Sequence, residues 1–205
     1  MQKMLRTLKV SSLLAVLPFA ASGQTLGAIC ESVARLGPGQ WVEYNVTGMG
    51  MGDALTSMWV GNVGSEQRNG VAHTVYESRL IGAQQMVSQM VMTGESSPWD
   101  MTNLVEMTVH MAGQPPMTMS GGMLDMVRQN DQTPNIAEEC HSAEVVGNES
   151  VTVPAGTIST VHLRHEDGEV WASPDIPMAL VKFVSKEGHA MELKAHGNGA
   201  TSSIN

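Results

Sequence analysis

Methionine is the residue type whose number and spacing most suggest chemistry. The chain contains 17 methionines, and ten of them lie between Met86 and Met126. Four groups are closely spaced: Met49-x-Met51, Met90-x-Met92, Met117-x-Met119 and Met123-x-x-Met126. On a β-strand, an M-x-M pair places both thioethers on one face. Thioether sulfur is a soft ligand that suits Cu(I), so one interpretation is a copper site formed by Met117, Met119, Met123 and Met126.

Two other interpretations of the methionines stay open beside copper. Methionine is flexible and polarisable, so it suits a surface that accepts apolar ligands of varied shape. An apolar cavity of this kind would be lined by Met86, Met90, Met92, Met107, Met117, Met119, Trp59 and Trp171. Alternatively, methionine serves as core filler in place of leucine and phenylalanine, because the chain has only two phenylalanines.

Residues for catalysis do not fall into a usable pattern. The sequence has no G-x-S-x-G motif and no cysteine with a plausible base. The carboxylates of Glu138 and Glu139 point apart because the two residues are adjacent. His162 and His165 would lie on opposite faces of a strand. We therefore expect no enzymatic activity and no cofactor.

Period-two alternation predicts antiparallel strands along most of the chain. In the first half, strands are predicted at residues 41–46, 54–60, 71–81 and 84–93, followed by a hairpin over 104–119. In the second half, strands are predicted at 145–153, 158–165, 169–172, 181–185 and 191–195, with a turn at Pro154-Ala155-Gly156-Thr157. Apolar residues at helical spacing predict a short helix over 25–36 and a helical turn over 123–128.

These elements predict a single β-rich domain over residues 24–205. The fold class is mainly β (α+β): a strongly curved antiparallel sheet or half-open β-barrel with one or two short helices. Such a sheet must cover its apolar face by curling or by receiving a helix. The tail, residues 197–205, is expected to be frayed.

Two cysteines, Cys30 and Cys140, bear on the compartment and on stability. In an oxidising compartment an isolated pair most simply forms one disulfide. The bond would close a loop of about 110 residues. The alternative is two free thiols.

The first residues predict export. Lys3, Arg6 and Lys9 precede an apolar stretch over 10–21 and a run of small residues, which is the pattern of a cleavable signal peptide at residues 1–23. The apolar stretch is shorter than the roughly 20 residues needed to span a bilayer. We therefore expect a periplasmic or secreted protein of a Gram-negative bacterium, with no transmembrane segment after cleavage.

The charge of the exported part limits its partners. Residues 24–205 carry 20 acidic and 8 basic side chains, a formal charge of −12. A surface this acidic repels nucleic acid and anionic lipid headgroups. Contact with a lipid or a lipoprotein would therefore use apolar surface.

The second half of the chain contains a familiar series of motifs. They are Val151-Thr152-Val153-Pro154-Ala155-Gly156-Thr157, Val170-Trp171-Ala172-Ser173, Ile176-Pro177 and Leu180-Val181-Lys182. With Trp41-Val42-Glu43-Tyr44 opening the strands, this pattern resembles exported bacterial proteins of the LolA, LolB and LppX group, over about residues 41–195. The resemblance implies a half-closed barrel that wraps a helix, leaves an apolar cavity and carries lipoproteins or lipids across the periplasm.

The lipoprotein carrier of that group uses a buried arginine to control its lid. The candidates that the resemblance implies here are Arg68, Arg79, Arg128 and Arg164. Three hypotheses follow from the sequence as a whole. The first is a LolA-like, non-catalytic binding protein with an apolar cavity for a lipid or acyl chain. The second is a methionine-rich copper(I) protein, and the third is a structural or interaction domain with no small ligand.

Overall fold

Most of the predicted domain is described by the structure, a computed structural model. It describes residues 26–33, 35–48, 55–94, 96–130 and 140–204. The predicted signal peptide at 1–23 therefore lies outside the described residues. The same holds for the pair Met49 and Met51 and for the acidic pair Glu138 and Glu139.

One eleven-stranded antiparallel sheet dominates the fold. Its strands are β1 Trp41–Thr47, β2 Leu55–Arg68, β3 Val71–Gly82, β4 Met86–Thr93, β5 Leu104–Met111, β6 Met117–Ser120, β7 Glu144–Val153, β8 Gly156–His165, β9 Gly168–Ala172, β10 Leu180–Ser185 and β11 Ala190–Gly197. Among the described residues, the helices are α1 Leu26–Ser32, a single 3-10 turn at Met101–Asn103, and α2 Gly122–Asn130, and residues 140–142 are also helical. The predicted fold class, a curved antiparallel sheet with short helices, is confirmed.

Two meanders meet in the middle of the sheet. The strand order is β6-β5-β4-β3-β2-β1-β11-β10-β9-β8-β7, so the first and last strands of the chain are neighbours. Within each meander every strand pairs with the next one along the chain, as short turns between alternating segments predict. The outer strands β6 and β7 are far apart in this order, and the sheet is not closed.

Alternating burial along the strands defines a core face of the sheet. On β1, Val42, Tyr44 and Val46 are buried, while the residues between them are not. The main core continues across the sheet to Leu104 and Leu193. Period-two burial is the pattern of a sheet with one face packed and one face toward solvent.

The β7–β8 hairpin shows how strongly the sheet bends. Its tip extends past the end of β9, where the Ala155 N–H donates to the carbonyl of Leu193 on β11 across 3.1 Å. Since β9 and β10 lie between β8 and β11 in the sheet, the hairpin must bend across both strands to reach β11. The Tyr44 hydroxyl also donates to the Leu180 carbonyl on β10, at 3.2 Å.

The predicted disulfide between Cys30 and Cys140 is confirmed. Both cysteines are buried in a second, smaller core cluster. In this cluster Ile29 of α1 packs with Val161 and Leu163 of β8. The disulfide therefore links α1 to the half of the sheet that ends with β7.

The C-terminal tail is ordered by hydrogen bonds, so the expectation of a frayed tail is wrong for residues 198–204. The Glu77 side chain on β3 is fully buried and accepts hydrogen bonds from the Ser203 N–H at 3.0 Å and the Ser202 hydroxyl at 2.8 Å. Arg79 donates to the Thr201 carbonyl at 2.8 Å. A buried carboxylate requires such donors, and this requirement holds the tail on the sheet.

Candidate functional site: the methionine face

Register brings methionines from neighbouring strands side by side. Met90 on β4 lies directly opposite Met107 on β5. Met107 in turn lies directly opposite Met119 on β6. In a second row, Met86 on β4 lies opposite Met111 on β5. Opposite residues in an antiparallel pair share a face, with Cβ atoms about 4.5–5.5 Å apart.

These rows belong to a larger surface that we call the methionine face. It lies on the core face of β2–β6 and consists of Met58, Met86, Met90, Met92, Met107, Met111, Met117 and Met119. Six of the eight were predicted ligand-binding residues. Met58 and Met111 were missed. Both belong to the methionine face because they lie in one row across the strands: Met58 is opposite Leu80, Leu80 is opposite Met86, and Met86 is opposite Met111.

The methionine face runs from the core to the surface. Met92 and Met90 are 0% and 4% exposed, whereas Met117 on the edge strand β6 is 49% exposed. Met86 and Met107 lie between these extremes and are half-buried. Apolar side chains therefore reach solvent along a continuous path from the core. This exposure makes the methionine face a candidate binding surface.

Strand β4 uses a different apolar residue on each side. Met86, Met90 and Met92 lie on the core face, whereas Val87 and Val91 lie on the opposite face, because successive residues alternate. β-branched residues such as valine fit strands best. Unbranched methionine adds flexibility and sulfur instead. On β4, the methionines therefore all lie on the core face.

Two serine side chains interrupt the methionine face. Ser78 on β3 and Ser88 on β4 lie opposite each other, and both are buried. Ser88 stands between Met86 and Met90 on the same face of β4. Both side chains are short and buried. Their hydroxyls can each donate and accept a hydrogen bond.

Helix α2 covers one margin of the methionine face. Its Leu124 is 1% exposed and packs in the main core. Arg128 donates to the Met101 carbonyl at 3.1 Å and also donates to the Leu104 carbonyl. Arg128 also forms an ion pair with Asp125 at 2.8 Å. These bonds hold the helix against the start of β5.

Trp59 lies on the other side of the sheet from the methionine face. Its neighbour Met58 is on the core face, so alternation turns Trp59 outward. There it stacks on Trp41 with ring centroids 6.3 Å apart, and the Arg79 guanidinium lies 3.8 Å from its centroid. The structure therefore does not bring Trp59 together with the methionines.

Trp171 lies in the other half of the sheet, on β9. Its ring stacks on His162 with centroids 4.5 Å apart, and its indole N–H donates to Glu149. The two His162 ring nitrogens lie 3.1 Å from a Glu149 oxygen and 3.3 Å from a Glu169 oxygen. Trp171 is therefore part of a polar cluster and is separate from the methionine face.

The four arginines implied by the resemblance are all partly exposed. Their side chains are between 27% and 48% exposed. Arg68 forms a two-pronged hydrogen bond to Glu106, at 3.0 and 3.1 Å. Arg164 pairs with Glu144 and Glu169 at the surface. None of the four matches the buried arginine of a lipoprotein carrier.

The four predicted copper ligands lie on two adjacent elements. Met117 and Met119 share a face of β6, as the M-x-M spacing predicts. Met123 and Met126 lie on α2 and are 47% and 59% exposed. Strand pairing places Met119 opposite Met107, which in turn lies opposite Met90. Met107 and Met90 are outside the predicted copper set.

Two open grooves lie away from the methionine face. One, of about 730 Å³, is lined by residues such as Glu144, Arg164 and Glu169. The other, of about 360 Å³, is lined by residues such as Arg35 and Asp175. Neither groove contains a predicted cavity residue.

Comparisons with known proteins give only weak likenesses. No protein-family model matches the sequence, and no curated protein matches it. Within the part of the chain that the structure describes, no helix is long and apolar enough to cross a membrane.

Three solved structures are similar to the chain at low identity. One is a protein of Parabacteroides distasonis assigned as a lipoprotein (11% identity, TM-score 0.34, covering 81% of this chain and 99% of that one). Another is a protein of Bacteroides fragilis assigned as exported, with a YmcC-like fold (11%, TM-score 0.34, 80% and 98%). The third is MucB (13%, TM-score 0.33, 87% and 59%), so the chain spans less than two thirds of MucB. Similarities this low assign neither a function nor a ligand.

Proposed function

We propose that the chain is an exported, non-catalytic protein of the periplasm that binds an apolar ligand, a lipid or an acyl chain, on the methionine face. The observation that carries this proposal is the register of β2–β6. It gathers eight methionines on one face, of which Met117 is 49% exposed and Met92 fully buried.

The chemistry of the surface favours an acyl chain over a polar ligand. Thioether side chains are flexible, so they can close around a chain that itself has many conformations. The charge of −12 on residues 24–205 disfavours binding through anionic headgroups. The ligand would therefore enter with its hydrocarbon part, and its polar end would stay in water.

The expected affinity follows from the area buried. Transfer of one CH₂ group from water is worth about 0.8 kcal/mol. Burial of about ten methylenes would therefore supply roughly 8 kcal/mol, from which the cost of ordering the ligand must be subtracted. Dissociation constants near or above the micromolar level are expected for a single chain.

A titration with dansyl-labelled undecanoic acid tests this proposal on residues 24–205. The double variant Met86→Gln, Met111→Gln replaces two half-buried thioethers of the face with polar amides. We expect it to weaken probe binding at least about tenfold, because two apolar contacts are lost.

The matched control is the double variant Met123→Gln, Met126→Gln on α2. These residues are exposed and lie outside the methionine face, so the control should bind the probe like the parent protein. Equal affinity in all three proteins would contradict the proposal. Failure of the parent protein to bind any acyl probe would favour a structural or interaction domain with no small ligand.

A further inference from the structure

Three thioethers in one register row form a distinct feature within the methionine face. Met90, Met107 and Met119 lie directly opposite one another on three adjacent strands. The Cβ atoms of such neighbours are about 4.5–5.5 Å apart. Each methionine side chain has three rotatable bonds, so the three sulfurs can turn toward a common point above Met107.

The surroundings of this row suit a soft ion without its water shell. Met90 is 4% exposed, and Met107 and Met119 are half-buried. Tyr76 lies opposite Met90 on the other side and is buried as well. A monovalent ion that prefers sulfur loses little when it exchanges water for three thioethers, whereas a hard divalent cation would lose its oxygen ligands.

Thioethers are the sulfur ligands that remain available in this chain. Its two cysteines are joined in the disulfide between Cys30 and Cys140. An exported protein that bound a soft ion would therefore use methionine. On β4, methionine lies on the core face and valine on the other face. The sulfur of Met90 is therefore on the same face as Met107.

We propose that Met90, Met107 and Met119 form a binding site for one Cu(I) ion. The site does not depend on the proposed acyl-binding function, because it needs sulfur and the acyl chain needs only apolar surface. No change in oxidation state is involved, since the ion enters and leaves as Cu(I). Ag(I), which has the same charge and the same preference for sulfur, should bind in the same place.

Substitution by leucine removes the sulfur and keeps an apolar side chain of similar volume. The test is an anaerobic titration of residues 24–205, disulfide intact, with Cu(I) in competition with bathocuproine disulfonate. The parent protein should take up one Cu(I) per chain. The double variant Met107→Leu, Met119→Leu should bind Cu(I) at least about a hundredfold more weakly, because two of three ligands are lost.

The control is the double variant Met123→Leu, Met126→Leu, which should bind Cu(I) like the parent. Loss of Cu(I) binding in the control together with full binding in the row variant would overturn the proposal. So would equal affinity in all three proteins. If the row variant does not fold, X-ray absorption of the Cu(I)-loaded parent decides: a shell of sulfur only, with three neighbours, is expected, and a shell with nitrogen or oxygen contradicts the site.

Discussion

Met86 and Met111 lie directly opposite each other on β4 and β5, and both are half-buried. Their row continues through Leu80 and Met58 to Tyr44, which is fully buried. The pair therefore stands where the core meets solvent. The proposed apolar ligand would extend the core there without moving a strand, so its binding would require little rearrangement of the sheet.

The disulfide should contribute strongly to stability. Reduction, or the double variant Cys30→Ser, Cys140→Ser, opens a loop that spans 110 residues. The chain-entropy model gives a loss of up to about 4–5 kcal/mol in the free energy of unfolding for a loop of this length. Urea unfolding of the oxidised and the reduced protein measures this loss in the free energy of unfolding. A difference below about 1 kcal/mol would show that the denatured state is not restricted by the bond.

Glu77 should make stability depend on pH. Burial disfavours its carboxylate and by itself would raise the pKa. Hydrogen bonds from Ser203, Arg79 and Ser202 outweigh burial, so the pKa of this carboxyl lies below its ordinary value of 4.5. The folded state then binds fewer protons than the unfolded state, and stability rises with pH in this range.

The contribution of Glu77 is fully present above pH 4.5 and is lost as the pH falls through the lower folded value. The variant Glu77→Gln should lose about 2 kcal/mol at pH 7, as expected for hydrogen bonds to a buried charge. It should also release the tail, which carboxypeptidase digestion would detect. A variant with the pH dependence of the parent below pH 4.5 would rule out this role for Glu77.

Arg128 should hold helix α2 at the margin of the methionine face. In Arg128→Ala the bonds to the carbonyls of Met101 and Leu104 are lost. We expect faster hydrogen exchange over residues 122–130 and a loss of about 1 kcal/mol in stability. The control is Arg164→Ala, whose ion pairs are at the surface and contribute little. Unchanged exchange in α2 would contradict the role of Arg128.

Gly168 should tolerate no side chain. A Cβ at this position would lie 2.3 Å from the Val184 carbonyl oxygen on the neighbouring strand β10. Gly168→Ala should therefore force β9 and β10 apart and cost about 2 kcal/mol or more. Gly147→Ala is the matched control, because a Cβ there meets no atom within 4 Å. The midpoints of thermal unfolding of the two variants would be compared. Equal midpoints would contradict the close approach of Gly168 to the Val184 carbonyl.

The sequence predicts the strands of this fold better than the surface they create. Alternation locates the strands, and the hairpin over 104–119 is present as β5 and β6. Periodicity does not determine which of two adjacent apolar residues faces the core. For Met58 and Trp59 both choices satisfy the pattern, and only the pairing of Met58 with Leu80 on the core face decides between them.

The sequence does not predict the docking of the C-terminal tail, and the reason is different. Residues 197–204 are polar and small, a composition typical of frayed ends. What holds them is the buried carboxylate of Glu77, which lies more than a hundred positions earlier in the chain. A long-range hydrogen bond of this kind leaves no periodic signal in the sequence. The row of Met90, Met107 and Met119 is hidden in the same way, because register joins residues that sequence spacing separates.

Native mass spectrometry is the sharpest test of the proposed acyl binding. Residues 24–205 would be purified from the periplasm without detergent and sprayed under native conditions. Acyl binding on the methionine face predicts a bound mass of several hundred daltons that organic solvent releases as an acyl-containing molecule, and its loss in the variant Met86→Gln, Met111→Gln. A bare chain that also takes up no lipid from a mixed bacterial lipid extract would contradict it.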